Sequence, residues 1–194
     1  MILVTGGCRS GKSAFAEKLV TGDGHGPWLY VATSRITDEE MALRVEKHRQ
    51  RRGKDWETFE GYSGLAQSLA GKDSGQYRGI LVDSVTAMVT NLLFDFIGDV
   101  DWESFSFETV DYRAAQDKIL DEFRALCRRG EGAPLVFVTD EIGLGVVPET
   151  SLGRNFRDIL GTVNQYLAGV CGSVYFVISG IPVQIKGGTG EDKR

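Results

Sequence analysis

The run GGCRSGKS at 6–13 sets Gly6, Gly11, Lys12 and Ser13 at the spacing of a Walker A phosphate loop. It follows the apolar run ILVT directly and precedes a stretch that reads as a helix from near Ser13. Glycine lets the backbone curl until successive amides face phosphate oxygens, and a following helix adds the positive end of its dipole. Lys12 is then placed to reach the outer phosphates, and the Ser13 hydroxyl to coordinate magnesium. Such a site also wants an acid opposite the loop. Asp83, which closes ILVD at 80–83, takes that place, with Glu141, just past LVFVT at 135–139, as a second candidate. A strand-end aspartate often only caps the next helix, so it is the loop that turns the reading of Asp83 toward the metal.

A second candidate centre lies at 44–54, where Arg44, Lys47, Arg49, Arg51, Arg52 and Lys54 outnumber Glu46 in an otherwise acidic chain. Taken alone, such a run reads as a solvated helix end that complements its own dipole. His48 sits among these charges yet shares a helical face with Met41 and Val45, on a helix that the capping-box spacing of Thr37 and Glu40 starts. A lone histidine on an apolar face is more often core. A neutral imidazole can nevertheless attack phosphorus, and flanking cations disfavour its protonation and stabilise the charge that builds during displacement. The other histidine, His25, lies in the turn-like GDGHGP and receives no chemistry.

The elements that must position these residues follow from apolar patterning. ILVT at 2–5, WLYVA at 28–32, ILVD at 80–83, LVFVT at 135–139 and VYFVIS at 174–179 are continuous rather than alternating, and read as strands buried on both faces. Longer segments with helical spacing lie between them, such as the one carrying Ala115, Ile119, Phe123 and Leu126. WETFE at 56–60 alternates and reads as an extra, half-exposed strand; 98–108, acidic and aromatic, reads as a loop between helices. The expected fold is α/β, a RecA-like, mostly parallel sheet of the P-loop NTPase type with helices on both faces.

The chain has 194 residues, 42% of them hydrophobic and 25% charged, which suits one ordinary domain over 1–186 with a mobile tail from 187 to 194. Its 25 glycines point to tight turns and close backbone approach to a ligand. A net charge of -5 argues against a general nucleic-acid binder. Cys8, Cys127 and Cys171 are widely spaced, without CxxC, and read as reduced, buried small residues of a cytoplasmic protein. No run has the length of a membrane span or the pattern of a leader.

Across 2–186 the chain also resembles the bifunctional adenosylcobinamide kinase and adenosylcobinamide-phosphate guanylyltransferase family of cobalamin biosynthesis. The resemblance is carried by ILVTGGxRSGKS at 2–13, VATS at 31–34, DEEMxxRxxxHR at 38–49 and DSVTxxVTNLL at 83–93. EIGxGVVPE at 141–149, RxFRDxxGxxNQxLA at 154–168 and SGIPVxIK at 179–186 complete it. It implies phosphorylation of a corrinoid's aminopropanol hydroxyl, then transfer of GMP from GTP to that phosphate through a guanylyl-histidine, here His48, with release of pyrophosphate. Nucleotide contacts would fall on Gly6, Gly7, Cys8, Arg9, Ser10, Gly11, Lys12 and Ser13, on Ala32, Thr33 and Ser34, on Arg49, Gln50, Arg51 and Arg52, and on Glu60 and Asp83. GTP, ATP and Mg2+ are the implied cofactors, with Ser13 and Asp83 at the metal and Lys12 and His48 catalytic. A homo-oligomer, a trimer, is implied as well. Three positions depart from the family's usual residues: Cys8 at a variable loop position, Asp140 where asparagine is usual, and Asp83 where some relatives carry glutamate.

Two rival readings remain at this level. A plain small-molecule kinase would leave His48 structural and form no covalent nucleotide. A GTP-binding switch or motor would act through partner proteins, but the chain has no NKxD guanine motif and no basic surface excess.

Overall fold

The computed structural model describes residues 1–22, 24–35, 53–70, 76–101, 103–128 and 132–187. Seven strands form one sheet: β1 (Ile2–Gly6), β2 (Trp28–Ala32), β3 (Trp56–Glu60), β4 (Ile80–Asp83), β5 (Leu135–Asp140), β6 (Ser173–Ile178) and β7 (Ile181–Lys186). Their order across the sheet is β3-β2-β4-β5-β1-β6-β7, and every neighbouring pair is parallel except β6 with β7. Among the described residues the α-helices are α1 (Lys12–Thr21), α2 (Leu65–Ala70), α3 (Val85–Ile97), α4 (Tyr112–Arg128) and α5 (Ser151–Val170). This is the expected mostly parallel α/β sheet, including WETFE as a half-exposed strand at the β3 edge.

Because strand side chains alternate between faces, each apolar run feeds two cores. Leu3, Leu29, Val31, Ile80, Val82 and Phe137 point to the face covered by α2 to α5, where they meet Leu69, Met88, Phe123 and Val163. Val4, Tyr30, Leu81, Val136 and Val138 point to the other face, against Ala16 of α1. Burial on both faces is therefore what makes the runs continuous. The helical spacing of Ala115, Ile119, Phe123 and Leu126 is the buried stripe of α4.

Three expectations need correction. β6 is not buried throughout: Val174 and Val177 are buried, Tyr175 and Phe176 half-buried, and Ile178 exposed, because β7 beyond it has no further layer over its faces among the described residues. The cysteines are not alike: Cys171 is buried and Cys127 intermediate, whereas Cys8 is exposed on the loop, where small residues face solvent rather than core. Within 98–108, a short 3-10 helix begins at Phe107 and ends at Thr109. The helix expected from Thr37, its His48 face and the tail beyond Gly187 lie outside the described residues.

Candidate functional site

Parallel register is what gathers the candidate residues. Gly6 pairs with Asp140, Ala32 pairs with both Glu60 and Asp83, and β4 joins β5, so the carboxyl ends of five strands form one rim. Open α/β sheets bind ligands at this rim. At about 4.8 Å per strand, Asp83 stands roughly 10 Å across the sheet from Gly6, Ala32 roughly 14 Å and Glu60 roughly 19 Å. The loop, Asp140 and Asp83 are thus brought together, and Glu60 marks the far end of the rim, exposed.

The loop itself needs two of its glycines for distinct reasons. A Cβ on Gly6 would stand 2.4 Å from the Val177 carbonyl oxygen of β6, closer than any side chain tolerates. Gly11 has φ 93°, the left-handed region, and is the N-cap of α1. Arg9 also has positive φ, 55°, and the turn is closed by the Ser10 amide donating to Gly7 O at 3.2 Å and the Gly180 amide donating to Ser10 O at 2.8 Å. No side chain caps α1 and no acid lies in its first turn, so its leading amides are left facing the loop. By contrast, the Ser84 hydroxyl caps α3 by accepting from Ala87 N at 3.2 Å, and Thr150 caps α5 by accepting from Gly153 N. Ser10 Oγ is buried with no hydrogen-bond partner among the described residues. A buried hydroxyl left in that state inside an amide-lined loop is what a ligand-binding cradle presents.

Lys12 is nearly buried, and its ammonium folds back over the loop. Nζ donates to Gly7 O at 3.0 Å and forms an ion pair with Asp140 Oδ1 at 2.5 Å. Asp140 is held from behind: its amide donates to Thr86 Oγ1 at 2.8 Å, and its carbonyl accepts from Asn164 Nδ2 at 3.1 Å. Asn164 also accepts from the buried Thr139 hydroxyl at 2.7 Å, so α5 fixes the end of β5 at two successive residues.

Asp83 does not cap the following helix, because Ser84 does. Its Oδ2 accepts from Tyr30 Oη at 3.0 Å, and its backbone carbonyl accepts from Thr33 N. Thr33 is fully buried and its hydroxyl is committed: it donates to Ser84 O at 2.6 Å and accepts from Ser84 N at 2.8 Å. Its carbonyl accepts from the buried Asn91 at 2.8 Å. The Thr33 side chain thus braces the end of β4, and Ala32 and Ser34 on either side are half-buried.

Glu141 accepts from Gly143 N through Oε1, and its amide donates to Gly6 O. It lines a cleft of about 340 Å³ with loop residues Gly7 to Ser10, Leu144 and residues 176–179 of the β6 side. Its cleft thus opens toward the β6 side of the loop, whereas Asp83 ends β4, on the other side of β5. The hydroxyl of Ser13 and the carboxylate of Asp83 are hard oxygen donors suited to magnesium, and α1 packs across β1, β5 and β4 from its start at the rim.

His48, Arg49, Gln50, Arg51 and Arg52 lie outside the described residues. Sequence reasoning did not find Thr86, Asn91 and Asn164. Asn91 had a signal, a lone amide inside the apolar AMVTNLLF, while Thr86 and Asn164 are ordinary helix residues until the fold sets them behind Asp140.

The family model for cobinamide kinase / cobinamide phosphate guanyltransferase matches residues 2–185. The chain is 47% identical over 188 residues to the bifunctional adenosylcobalamin biosynthesis protein CobU of Escherichia coli (strain K12), a match covering 96% of this chain and 99% of that one. It is 35% identical over 186 residues to the bifunctional adenosylcobalamin biosynthesis protein CobP of Pseudomonas aeruginosa, covering 95% and 96%. Among solved structures, an ATPase from the type III secretion system of pathogenic bacteria superposes with a TM-score of 0.51 at 9% identity, over 90% of this chain and 51% of that one, a likeness of fold alone. With the phosphate loop standing on the rim described above and the match running almost end to end, the chain belongs to the cobinamide kinase / cobinamide phosphate guanyltransferase family.

Proposed function

We propose that this protein phosphorylates adenosylcobinamide and then transfers GMP from GTP to the resulting phosphate, using one phosphate loop for both reactions. The single observation that carries the reading is the 6–13 loop at the rim, uncapped at the start of α1 and holding Lys12 over its own carbonyls. In the kinase step the corrinoid hydroxyl oxygen attacks the terminal phosphorus of ATP or GTP, the diphosphate leaves, and the hydroxyl proton is lost. Loop amides and Lys12 orient the terminal group, and positioning with charge stabilisation supplies most of the acceleration. Mg2+, when bound by Ser13 and Asp83, would draw charge from the phosphate oxygens.

In the second step His48 is the nucleophile. An imidazole nitrogen bonds to the α-phosphorus of GTP, the bond to pyrophosphate breaks, and the corrinoid phosphate oxygen then displaces the histidine to give adenosylcobinamide-GDP. Arg49, Arg51 and Arg52 would meet the growing charge, while Gln50, Ala32, Ser34 and Glu60 would contact the nucleotide. The guanyltransferase half of the family's description is what disfavours a plain kinase.

We further propose a homo-oligomer, a trimer, working in the cytoplasm. Its support is an apolar surface of Ile178, Ile181, Val183 and Ile185, with Leu144 beside Ile178, all exposed in the single chain. No helix among the described residues is long and apolar enough to cross a membrane.

Incubation with GTP labelled at the α-phosphate tests the covalent step. Acid-labile, alkali-stable label on the wild type, lost in His48→Ala, is expected. An unlabelled protein that still turns over cobinamide phosphate and GTP would remove the histidine from the mechanism.

A further inference from the structure

The phosphate-loop lysine is paired with a carboxylate at the cradle. Lys12 Nζ lies 2.5 Å from Asp140 Oδ1, with the lysine side chain 11% and the aspartate side chain 29% exposed. Asp140 cannot move its backbone away, because Thr86 holds its amide and Asn164 its carbonyl. Its neighbour across the sheet is Gly6, the first residue of the loop, so the carboxylate stands at the cradle rather than outside it. A phosphate oxygen that took up Lys12 would come within two hydrogen-bond lengths of this carboxylate. At that range, in a partly buried site, two like charges repel appreciably.

We propose that Asp140 makes capture of a nucleoside triphosphate by the loop conditional on a divalent cation. The inference rests on the reading of 6–13 as a triphosphate site and adds a residue that sets its metal requirement. Without metal, the anion meets a cradle whose buried ammonium is already paired, and at the loop itself binding relies on amides and the α1 terminus. With metal, the cation offsets Asp140, Lys12 turns to the phosphates, and the carboxylate ceases to oppose binding. Asp140 acts through Lys12 and the field at the loop, and is a positioning residue.

The test is equilibrium binding of GTP to the full chain, with excess Mg2+ and with EDTA, for wild type, Asp140→Asn and Asp140→Glu. Asp140→Asn is isosteric and keeps both backbone hydrogen bonds; its thermal midpoint is measured alongside. The expected result is an affinity in EDTA raised about tenfold or more in Asp140→Asn, from removing one charge at this separation. Its affinity in Mg2+ should change less than about threefold, so that the ratio between the two conditions collapses, while Asp140→Glu keeps a wild-type ratio. An unchanged ratio in a folded Asp140→Asn overturns the inference alone. A loss confined to the Mg2+ condition assigns Asp140 to the metal and also overturns it. If wild type binds no GTP with Mg2+, the triphosphate reading falls and takes the inference with it.

Discussion

Replacing Thr33 by valine removes one hydroxyl, keeps the side chain's shape and volume, and should loosen the acid that faces the loop. The hydroxyl makes two hydrogen bonds to one residue, donating to Ser84 O at 2.6 Å and accepting from Ser84 N at 2.8 Å, from a fully buried position. At about 1 kcal/mol net for each, Thr33→Val should cost about 2 kcal/mol, and somewhat more if no water reaches Ser84. Thr33→Ser is the control: it keeps the hydroxyl and deletes one buried methyl, at about 0.8 kcal/mol. The order of the two variants decides the matter, since a packing role predicts serine worse and a bracing role predicts valine worse. Urea unfolding followed by circular dichroism reads the stability, and GTP affinity with Mg2+ reads the consequence at Asp83, which precedes the braced residue. A valine variant as stable as wild type, or more stable than the serine variant, would refute the brace.

Two further outcomes are expected. Cys8 is exposed on the loop, whereas Cys171 is 1% exposed and burial pushes its thiol up to about 12; iodoacetamide at pH 8 should therefore modify Cys8 first, GTP with Mg2+ should slow it, and Cys171 should stay intact in the native protein, as read by peptide mass mapping. Nucleotide that leaves the rate at Cys8 unchanged counts against ligand over the loop. Introducing Glu at both Ile181 and Ile185, exposed by 66% and 62%, should convert an oligomer into monomer in sedimentation velocity without unfolding the chain; an unchanged mass would place any interface elsewhere.

The parts of the molecule that were legible are those where one physical demand acts on consecutive residues. β1, β2, β4 and β5 are covered on both faces, so their successive interior positions are apolar until the carboxyl end, and the sequence says so directly. β3 lies at an edge and alternates for the same reason. β7 went unread as a strand: Pro182 cannot donate to a ladder and sits on the outer strand, and six exposed residues carry no burial pattern at all. The loop was legible because backbone geometry dictates its glycines. The Lys12–Asp140 pair was not, because residues 128 apart in the chain meet only when β1 and β5 are paired in register. The inward turn of the Thr33 hydroxyl was not legible, because a threonine past a strand end reads alike whether its side chain faces the rim or the core. Asn164 shows the same limit from the other side, since nothing in NQYLA announces an amide spanning Thr139 and Asp140.

The split of labour along each strand has an evolutionary corollary. Interior strand positions hold the two cores, while the acids that would face phosphate stand at the last paired residue of their strands, at Asp83 and Asp140. Exchanging such a terminal side chain disturbs no hydrocarbon packing, so lineages sharing this scaffold are free to drift in metal appetite or nucleotide preference while their melting behaviour stays put. Chemistry and durability are, in this architecture, nearly independent variables.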